Sequence, residues 1–405
     1  MIQVQDNDRV AALLRQINWD FDGALSHYGL HRLHWYPGSF IPQIPSYAID
    51  ILSRPGDVVY DPFCGVGTTL VEAVRLGRRA YGTDSNSIAV RVAIAKTTFL
   101  ADVDLAAIAV DVPAALRDRC SEYGIDSQST LFAPRRDGSG PPIIADANLP
   151  KWYHEKTWRE MNTIRELARE HAGPVRNLLE VLLSSIAKRA CSQSKHWGYV
   201  ADNMVPKSLV YKDAIALYDR AIQDVVQGYR SLTQAPALVG RRRDDLNDLV
   251  RIERRDIRSG TGLIPESVDL IVTSPPYPFS TDCARAQRLS YWWLQEPLED
   301  EREVEVGARY KRHRQNALDD YFHDLGACFA QIAASLKPGK RLCLVMGVPQ
   351  AQRDKGDVLA RVVSLVTAHG LHECFSRVTR RSSRTRIVNR EGETADETIA
   401  FFEKK

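Results

Sequence analysis

Apolar runs and helical patterns alternate closely near the start of the chain. After a polar-faced helix predicted over residues 9–28, short apolar runs predict strands at 58–60 and 79–84. Apolar positions at helical spacing predict helices at 68–76 and 88–97. Strand, helix, strand and helix in short succession indicate a parallel α/β sheet.

This alternation stops near residue 100 and resumes near residue 250. The segment between has no run typical of a buried strand, but it has helical patterns at 157–171, 175–190 and 211–233. We therefore expect a mainly helical insertion. Beyond it, the pattern predicts two helices, at 321–336 and 358–369, and strands at 250–256, 268–273, 341–346, 371–378 and 397–403.

Composition narrows the class of protein only slightly. The chain has 405 residues, of which 44% are hydrophobic and 26% charged, as in an average soluble protein. Because the net charge is only +3, a nucleic-acid-binding surface would have to be a local cluster of basic residues. Its seven cysteines form no CxxC pair, which favours free thiols in a reducing compartment over disulfides or a zinc site. With no signal peptide and no membrane-length apolar run, we expect a cytoplasmic protein.

The first chemical motif is DPFCGVGTT, residues 61–69, directly after a predicted strand. Gly65 and Gly67 permit a tight turn into the next helix and leave the carboxyl edge of the strand open to a ligand. Asp84, at the end of the next strand, can accept hydrogen bonds from both ribose hydroxyls, and Asp256 suits the exocyclic amine of adenine. A structural turn with incidental acids is the alternative, and the lack of a GxxxxGK[ST] loop disfavours ATP and GTP.

The second motif is TSPPY, residues 273–277, after the predicted strand at 268–273. Two prolines stiffen the loop and remove backbone donors, so it presents acceptors. The Ser274 hydroxyl and the Pro275 carbonyl can accept both N–H groups of an exocyclic amine, which directs the nitrogen lone pair toward a methyl donor. Tyr277 can stack on a base that has left the duplex. By itself the motif also fits a proline-stiffened turn after a core strand.

Together the two motifs resemble the S-adenosylmethionine-dependent DNA amino-methyltransferases that make N4-methylcytosine and N6-methyladenine. The family's FxGxG and [DNS]PP[YF] motifs match residues 63–67 and 274–277, and a third family block resembles residues 40–43. The resemblance implies an α/β, Rossmann-like class I methyltransferase with a seven-stranded, mostly parallel sheet and a reversed last strand. It implies catalysis by Ser274, Pro275, Pro276 and Tyr277. It also implies that S-adenosyl-L-methionine is the cofactor, bound by Phe40, Ile41, Pro42, Gln43, Asp61, Phe63, Gly65, Gly67, Thr68, Asp84, Ser85, Asp256, Ile257 and Thr273.

Within the family, SPP[YF] accompanies mostly cytosine N4, so Ser274 favours cytosine. The cofactor motif precedes the catalytic motif here, whereas many SPPY enzymes have the opposite order, so adenine N6 remains an alternative. Related RNA guanine-N2 methyltransferases usually carry an N-terminal RNA-binding domain, for which about thirty residues before the first family block are too few. A catalytically silent DNA-binding protein is disfavoured because both motifs are intact.

The resemblance implies double-stranded DNA as the partner and, for a role in restriction-modification or phage defence, a cognate restriction endonuclease. We expect residues 1–100 to form the N-terminal segment and cofactor-binding half, 101–249 the insertion and candidate target-recognition region, and 250–405 the catalytic half. No membrane partner and no metal are expected. The alternatives for the basic segments are a solvated hairpin and a helical packing layer. The basic residues predicted to contact phosphates are Arg285, Arg288, Lys195, Arg380, Arg381, Arg384 and Arg386.

Overall fold

The centre of the molecule is one sheet with strand order β3-β2-β1-β4-β5-β7-β6. The computed structural model describes residues 2–125, 140–193, 205–347, 357–381 and 396–405. The strands are β1 Val58–Asp61, β2 Arg79–Asp84, β3 Val250–Arg254, β4 Val268–Thr273, β5 Leu336–Gly347, β6 Leu371–Arg381 and β7 Asp396–Lys404.

Only β7 runs against its neighbours. The pairs from β3 to β5 are all parallel, whereas β7 is antiparallel to both β5 and β6. This confirms the predicted Rossmann-like sheet with a reversed last strand. One boundary was wrong: β5 begins at Leu336, five residues before the predicted start at Arg341, and the register shifts between those two residues. Pro338 and Gly339 therefore interrupt the strand pairing instead of separating a helix from a strand.

Fourteen helices are found in the described residues, and they cover both faces of the sheet. They are α1 Ile2–Gln16, α2 Gln43–Leu52, α3 Thr68–Arg75, α4 Ser87–Thr97, α5 Asp102–Glu122, α6 Glu155–Glu170, α7 Gly173–Ala190, α8 Ala214–Thr233, α9 Arg243–Asn247, α10 Cys283–Ala286, α11 Arg288–Leu294, α12 Leu298–Val304, α13 Ala317–Ser335 and α14 Val358–Ala368.

The first helix and α5 are the largest departures from the helix predictions, and the short helices α9 to α12 were not predicted either. The first helix ends at Gln16 instead of continuing to residue 28, and Phe21 and Gly23 beyond it have positive φ angles of 50° and 76°, which a helix cannot contain. Helix α5 was not predicted. Its 21 residues have alanines on several faces and include Pro113, so its apolar stripe is weak.

Successive residues of a strand point to opposite faces of the sheet, and each face has its own hydrophobic core. Val59 and Val272 point into the larger core, which they share with helices of the insertion, whereas Tyr60 and Ile271 point into the smaller core beneath α13 and α14. Over 101–125, 140–193 and 205–249, the described part of the insertion contains helices and no strand. Its helix α7 packs against α4 and α11, and its buried side chains belong to the same core as Val59 and Val272. No helix in the described ranges is long and apolar enough to cross a membrane.

Candidate active site

The carboxyl ends of β1 and β4 bring the two sequence motifs into direct contact. Thr273 Oγ1, at the end of β4, donates to Asp61 Oδ1 over 2.6 Å, and Thr69 Oγ1, in α3, donates to Asp61 Oδ2 over 2.6 Å. Asp61 is buried, and its burial raises the pKa to about 6 although these hydrogen bonds oppose the shift. Because β1 and β4 are neighbours, one carboxylate joins motifs that are about 200 residues apart in sequence.

The glycine turn is fixed to the end of β2. Gly65 N donates to Asp84 Oδ2 over 2.8 Å, and Asn86 N donates to Asp84 Oδ1 over 2.9 Å. Burial raises the pKa of Asp84 to about 6. Gly67 has a φ of 78°, and a Cβ there would stand 3.0 Å from Ala93 Cβ, so a glycine is needed both for the turn and for the close approach of α4.

These residues fit the predicted cofactor. A carboxylate has about four acceptor positions, so Asp84 can still accept hydrogen bonds from ribose hydroxyls after binding two backbone N–H groups. Gln43 Oε1 is buried, and no described residue donates to it, although Gln43 Nε2 donates to the Leu25 carbonyl over 2.8 Å. A buried acceptor of this kind is satisfied by a ligand donor such as an ammonium group.

Other predicted cofactor residues have structural partners or flank the turn. The Asp256 carboxylate accepts from the backbone and guanidinium of Arg258, which lowers its pKa, so a contact with adenine would have to share it with Arg258. The other predicted cofactor residues lie in the block at 40–43 or next to the glycine turn, Asp84 or Asp256. Phe40, Ile41, Pro42, Thr68 and Ile257 are buried, whereas Phe63 and Ser85 are partly exposed.

Tyr36 is a site residue that the sequence interpretation missed. Its ring Cε1 lies 3.8 Å from the position of a Cβ on Gly65, so the ring covers the glycine turn. Burial raises the pKa of Tyr36 well above its usual value, and Cys283 and Asp84 are close enough to contribute. Its place in HWYPG, just before the block at 40–43, was the available signal.

The loop that follows the catalytic motif is held over this edge by a buried carboxylate. Glu305 accepts hydrogen bonds from the backbone N–H groups of Cys283 and Ala284, over 2.6 and 3.3 Å, at the start of α10. Burial raises the pKa of Glu305 to about 7. Sequence patterns gave no signal for this contact.

The catalytic motif itself is anchored at both ends. Ser274 Oγ donates to Tyr277 Oη over 3.2 Å, and Tyr277 Oη donates to Glu397 Oε1 over 3.2 Å. Tyr321 Oη, from α13, donates to the Pro276 carbonyl over 3.0 Å. Pro275 is buried. The loop is therefore held from β7 and from α13.

Two of the predicted DNA contacts were wrong. Arg380 is 3% exposed and donates to the Trp19 carbonyl over 2.8 Å, and Arg288 is 7% exposed, with its guanidinium 5.6 Å from the centre of the Trp152 ring. Side chains packed in this way cannot reach phosphates. Among the other predicted contacts, Arg381 is exposed and Arg285 partly exposed. The rest lie outside the described residues: Lys195, Arg384 and Arg386.

A basic cleft lies between the insertion and the segment that leads to the active site. Its volume is about 870 Å³, and α7, α8, α11 and residues 29–35 line it. Trp35 is 47% exposed, with Lys188 Nζ 4.6 Å from the centre of its ring, and the cleft is also lined by Arg189 and Arg220 and by the acidic Asp213 and Asp224. The next residue along the chain is Tyr36, whose ring covers the glycine turn.

Comparisons with known proteins agree with this geometry. A family model described as DNA methylase, of the N6/N4 methyltransferase type, matches residues 15–96. The type II methyltransferase M.MvaI of Kocuria varians is 25% identical over 292 residues, which are 68% of this chain and 59% of that protein. The chain thus spans less than two thirds of this relative's length.

Shorter matches involve two further methyltransferases. M.MjaII of Methanocaldococcus jannaschii is 42% identical over 55 residues, 14% of this chain and 10% of that protein. The tRNA (guanine(10)-N2)-dimethyltransferase of Methanothermobacter thermautotrophicus is 36% identical over 63 residues, 14% of this chain and 19% of that protein. Each match covers a small part of either chain.

Among solved structures, TrmN from Thermus thermophilus aligns with 91% of this chain and 50% of its own, at 12% identity and a TM-score of 0.32. A score this low carries no argument, and the fold rests on the observed strand order. The family match supports the prediction that the cofactor is S-adenosyl-L-methionine. The family match over residues 15–96, together with the SPPY loop and the observed strand order, supports the resemblance to the amino-methyltransferases of the N4-cytosine/N6-adenine family.

Proposed function

We propose that this protein is a DNA methyltransferase that methylates the exocyclic N4 amine of a cytosine flipped out of the duplex. One observation carries the proposal: the hydrogen bond from Thr273 to Asp61 joins the SPPY loop to the cofactor turn at one edge of the sheet. Because this contact holds the cofactor turn and the amine-binding loop rigidly together, it favours methyl transfer by positioning the methyl donor against the amine.

In the proposed reaction the protein acts through orientation and electrostatics. The bound cofactor supplies an electrophilic methyl group. Ser274 Oγ and the Pro275 carbonyl accept the two amine N–H groups, which draws the nitrogen toward tetrahedral geometry. In the transfer, the amine nitrogen would take the methyl group from the cofactor sulfur, which would keep the electrons of the broken bond, and the proton that the nitrogen loses would pass to solvent water. The Tyr277 ring stacks on the extrahelical base. The turn at Gly65, with Asp84 and the block at 40–43, orients the cofactor.

Cytosine is proposed because the motif begins with Ser274, and adenine N6 is the second candidate because the cofactor motif comes first in the chain. The matched relatives do not separate the two bases. The likeness to tRNA guanine-N2 dimethyltransferases makes RNA a third and weaker candidate.

We also propose that the insertion, residues 101–249, reads the DNA target. The basic cleft with the exposed Trp35 supports this role, because Lys188, Arg189 and Arg220 line it and provide positive charge for phosphate contacts. A role in restriction-modification with a cognate endonuclease belongs to the same proposal.

The test is methyl transfer to unmethylated duplex DNA of mixed sequence, followed by digestion to nucleosides and mass spectrometry. We expect N4-methylcytosine. N6-methyladenine without N4-methylcytosine would overturn the choice of cytosine, and methylation of tRNA with none of DNA would overturn the proposed function. The Ser274→Ala variant is the matched control for contaminating activity, because it removes one amine acceptor and leaves the cofactor turn intact.

A further inference from the structure

The catalytic motif belongs to a hydrogen-bond chain that continues into the last two strands. From Ser274 Oγ the chain passes to Tyr277 Oη and from there to Glu397 Oε1, with both oxygen–oxygen distances 3.2 Å. Both are long for O–H···O bonds, which usually measure about 2.7–2.8 Å.

Beyond Glu397 the chain ends in a buried positive charge. Arg380 is paired with Glu397 in the β6–β7 register, and its guanidinium forms an ion pair with the second carboxylate oxygen, Oε2. Arg380 Nε donates to the Trp19 carbonyl over 2.8 Å, which fixes the guanidinium plane. The Glu397 carboxylate therefore has a fixed countercharge on one side and the Tyr277 hydroxyl on the other.

Tyr277 is also held by shape. A Cβ on Gly347 would stand 2.6 Å from Tyr277 Cε2, so the ring rests where β5 has no side chain. Gly347 lies directly opposite Glu397 in the β5–β7 register. The ring and the hydroxyl of Tyr277 are thus fixed by the same pair of residues.

The carboxylate fixes the direction of every hydrogen bond in this chain. An ionised carboxylate only accepts, so the single proton of the Tyr277 hydroxyl points to Glu397. Tyr277 can then only accept from Ser274, and the single Ser274 proton points to Tyr277. The remaining Ser274 lone pairs are acceptors, as an amine N–H requires.

We propose that Glu397, paired with Arg380, is a positioning residue that acts through Tyr277 to make Ser274 a hydrogen-bond acceptor for the substrate amine. The inference rests on the proposed function and extends it to a residue outside the catalytic motif. It applies to cytosine N4 and adenine N6 alike, because both present N–H donors.

Glu397→Gln is the decisive variant because it keeps the size of the side chain and reverses the direction of the hydrogen bonds between Ser274, Tyr277 and residue 397. The amide oxygen must face the Arg380 guanidinium, so the NH₂ group faces Tyr277. Tyr277 then accepts from the amide and donates to Ser274, whose own proton is directed at the substrate. Tyr277→Phe breaks the chain at its centre and keeps the stacking ring.

The first measurement is the single-turnover rate of methyl transfer to duplex DNA at saturating S-adenosylmethionine. We expect each variant to lower this rate by about tenfold or more, the effect of one hydrogen bond to a charged group, with little change in the affinities for cofactor and DNA. Adding Glu397→Gln to Tyr277→Phe should cause little further loss. Glu373→Gln, which removes an exposed ion pair with Arg377 on β6, is the control and should keep the wild-type rate.

The second measurement does not depend on activity. In a double-mutant cycle by urea unfolding, Glu397→Gln should lower stability more in the wild-type background than in the Tyr277→Phe background. Equal effects in both backgrounds would overturn the hydrogen-bond chain. If the cycle shows coupling but both variants transfer methyl at the wild-type rate, the positioning role is overturned while the proposed function stands. Failure of the wild type to methylate any DNA would overturn the proposed function and the catalytic role, leaving the contact as structural.

Discussion

Thr273 Oγ1 donates a 2.6 Å hydrogen bond to Asp61 Oδ1, across the boundary between two neighbouring parallel strands. The same carboxylate also accepts from Thr69 and from Phe63 N, so Asp61 has three hydrogen-bond donors within the protein. Asp61 was predicted to bind the cofactor. Its contacts show that it joins β1, α3 and β4, and a direct contact with the cofactor remains a prediction.

Replacing Asp61 tests this junction. Asp61→Ala leaves the buried Thr273 hydroxyl without its Asp61 acceptor and Thr69 with only the Val272 carbonyl at 3.3 Å, and we expect a loss of about 3 kcal/mol in the free energy of unfolding, measured by urea denaturation. Methyl transfer should fall as well, because both motifs lose their common anchor. Asp50→Ala, at an exposed position of α2, is the control and should change stability by less than about 0.5 kcal/mol. A loss for Asp61→Ala no larger than that of the control would show that the junction contributes nothing.

Cofactor affinity should depend on pH through Asp84. Its pKa is raised from 3.8 to about 6 by burial, and the ionised form is the better acceptor for ribose hydroxyls. We therefore expect calorimetry to show weaker binding of S-adenosylmethionine as the pH falls below about 6. In Asp84→Asn, binding should be weak and should not change over the same range. An Asp84→Asn profile as steep as that of the wild type would assign the titration to another group.

Stability should show the opposite trend. A carboxyl group with a raised pKa binds its proton more tightly in the native state than in the unfolded chain, so it contributes stability that is lost as the pH rises from about 4 to 6. Asp84→Asn removes one such group, and the loss of unfolding free energy across this window should become smaller. An unchanged slope would show that Asp84 ionises normally in the fold.

Gly67 should be far less replaceable than a glycine with similar backbone conformation but open surroundings. Gly67→Ala costs about 1 kcal/mol for the left-handed conformation plus about 1–3 kcal/mol for the 3.0 Å approach to Ala93 Cβ. Gly56→Ala, at a φ of 90° with no atom within 4 Å of the added Cβ, should cost only the first amount. Thermal unfolding compares the two variants, and equal losses would exclude the packing effect.

Arg381 is the exposed arginine of the β6–β7 hairpin for which a DNA contact is still predicted. If it contacts a phosphate, Arg381→Gln should weaken binding similarly on all sequences and reduce the slope of log K against log salt by about one. Arg377→Gln on the same strand is the matched control, because its guanidinium is paired with Glu373. Identical salt dependence in wild type and Arg381→Gln would remove Arg381 from the DNA surface.

The sequence by itself determined the sheet, most of its strands and the two motifs. Strand periodicity and turn residues are local properties, so β2 and β4 were predicted with their observed bounds. Glycines that need positive φ are likewise visible locally, and Gly65 and Gly67 both adopt it. The SPPY loop was found because proline stiffening and its acceptors lie within four consecutive residues.

Only the tertiary structure decided which charged residues are free and which are part of the framework. Arg380 and Arg288 looked like phosphate ligands in a local cluster, yet packing buries both. The Glu397 carboxylate beside Arg380 and the Trp152 ring beside Arg288 offset the cost of desolvating the two guanidinium groups. Tyr36, Glu305 and Glu397 reach the site from distant segments, and strand order, which depends on the whole fold, brings them there. The contact between Tyr277 and Glu397, which completes the link from Ser274, spans 120 residues, a separation at which no local pattern carries information.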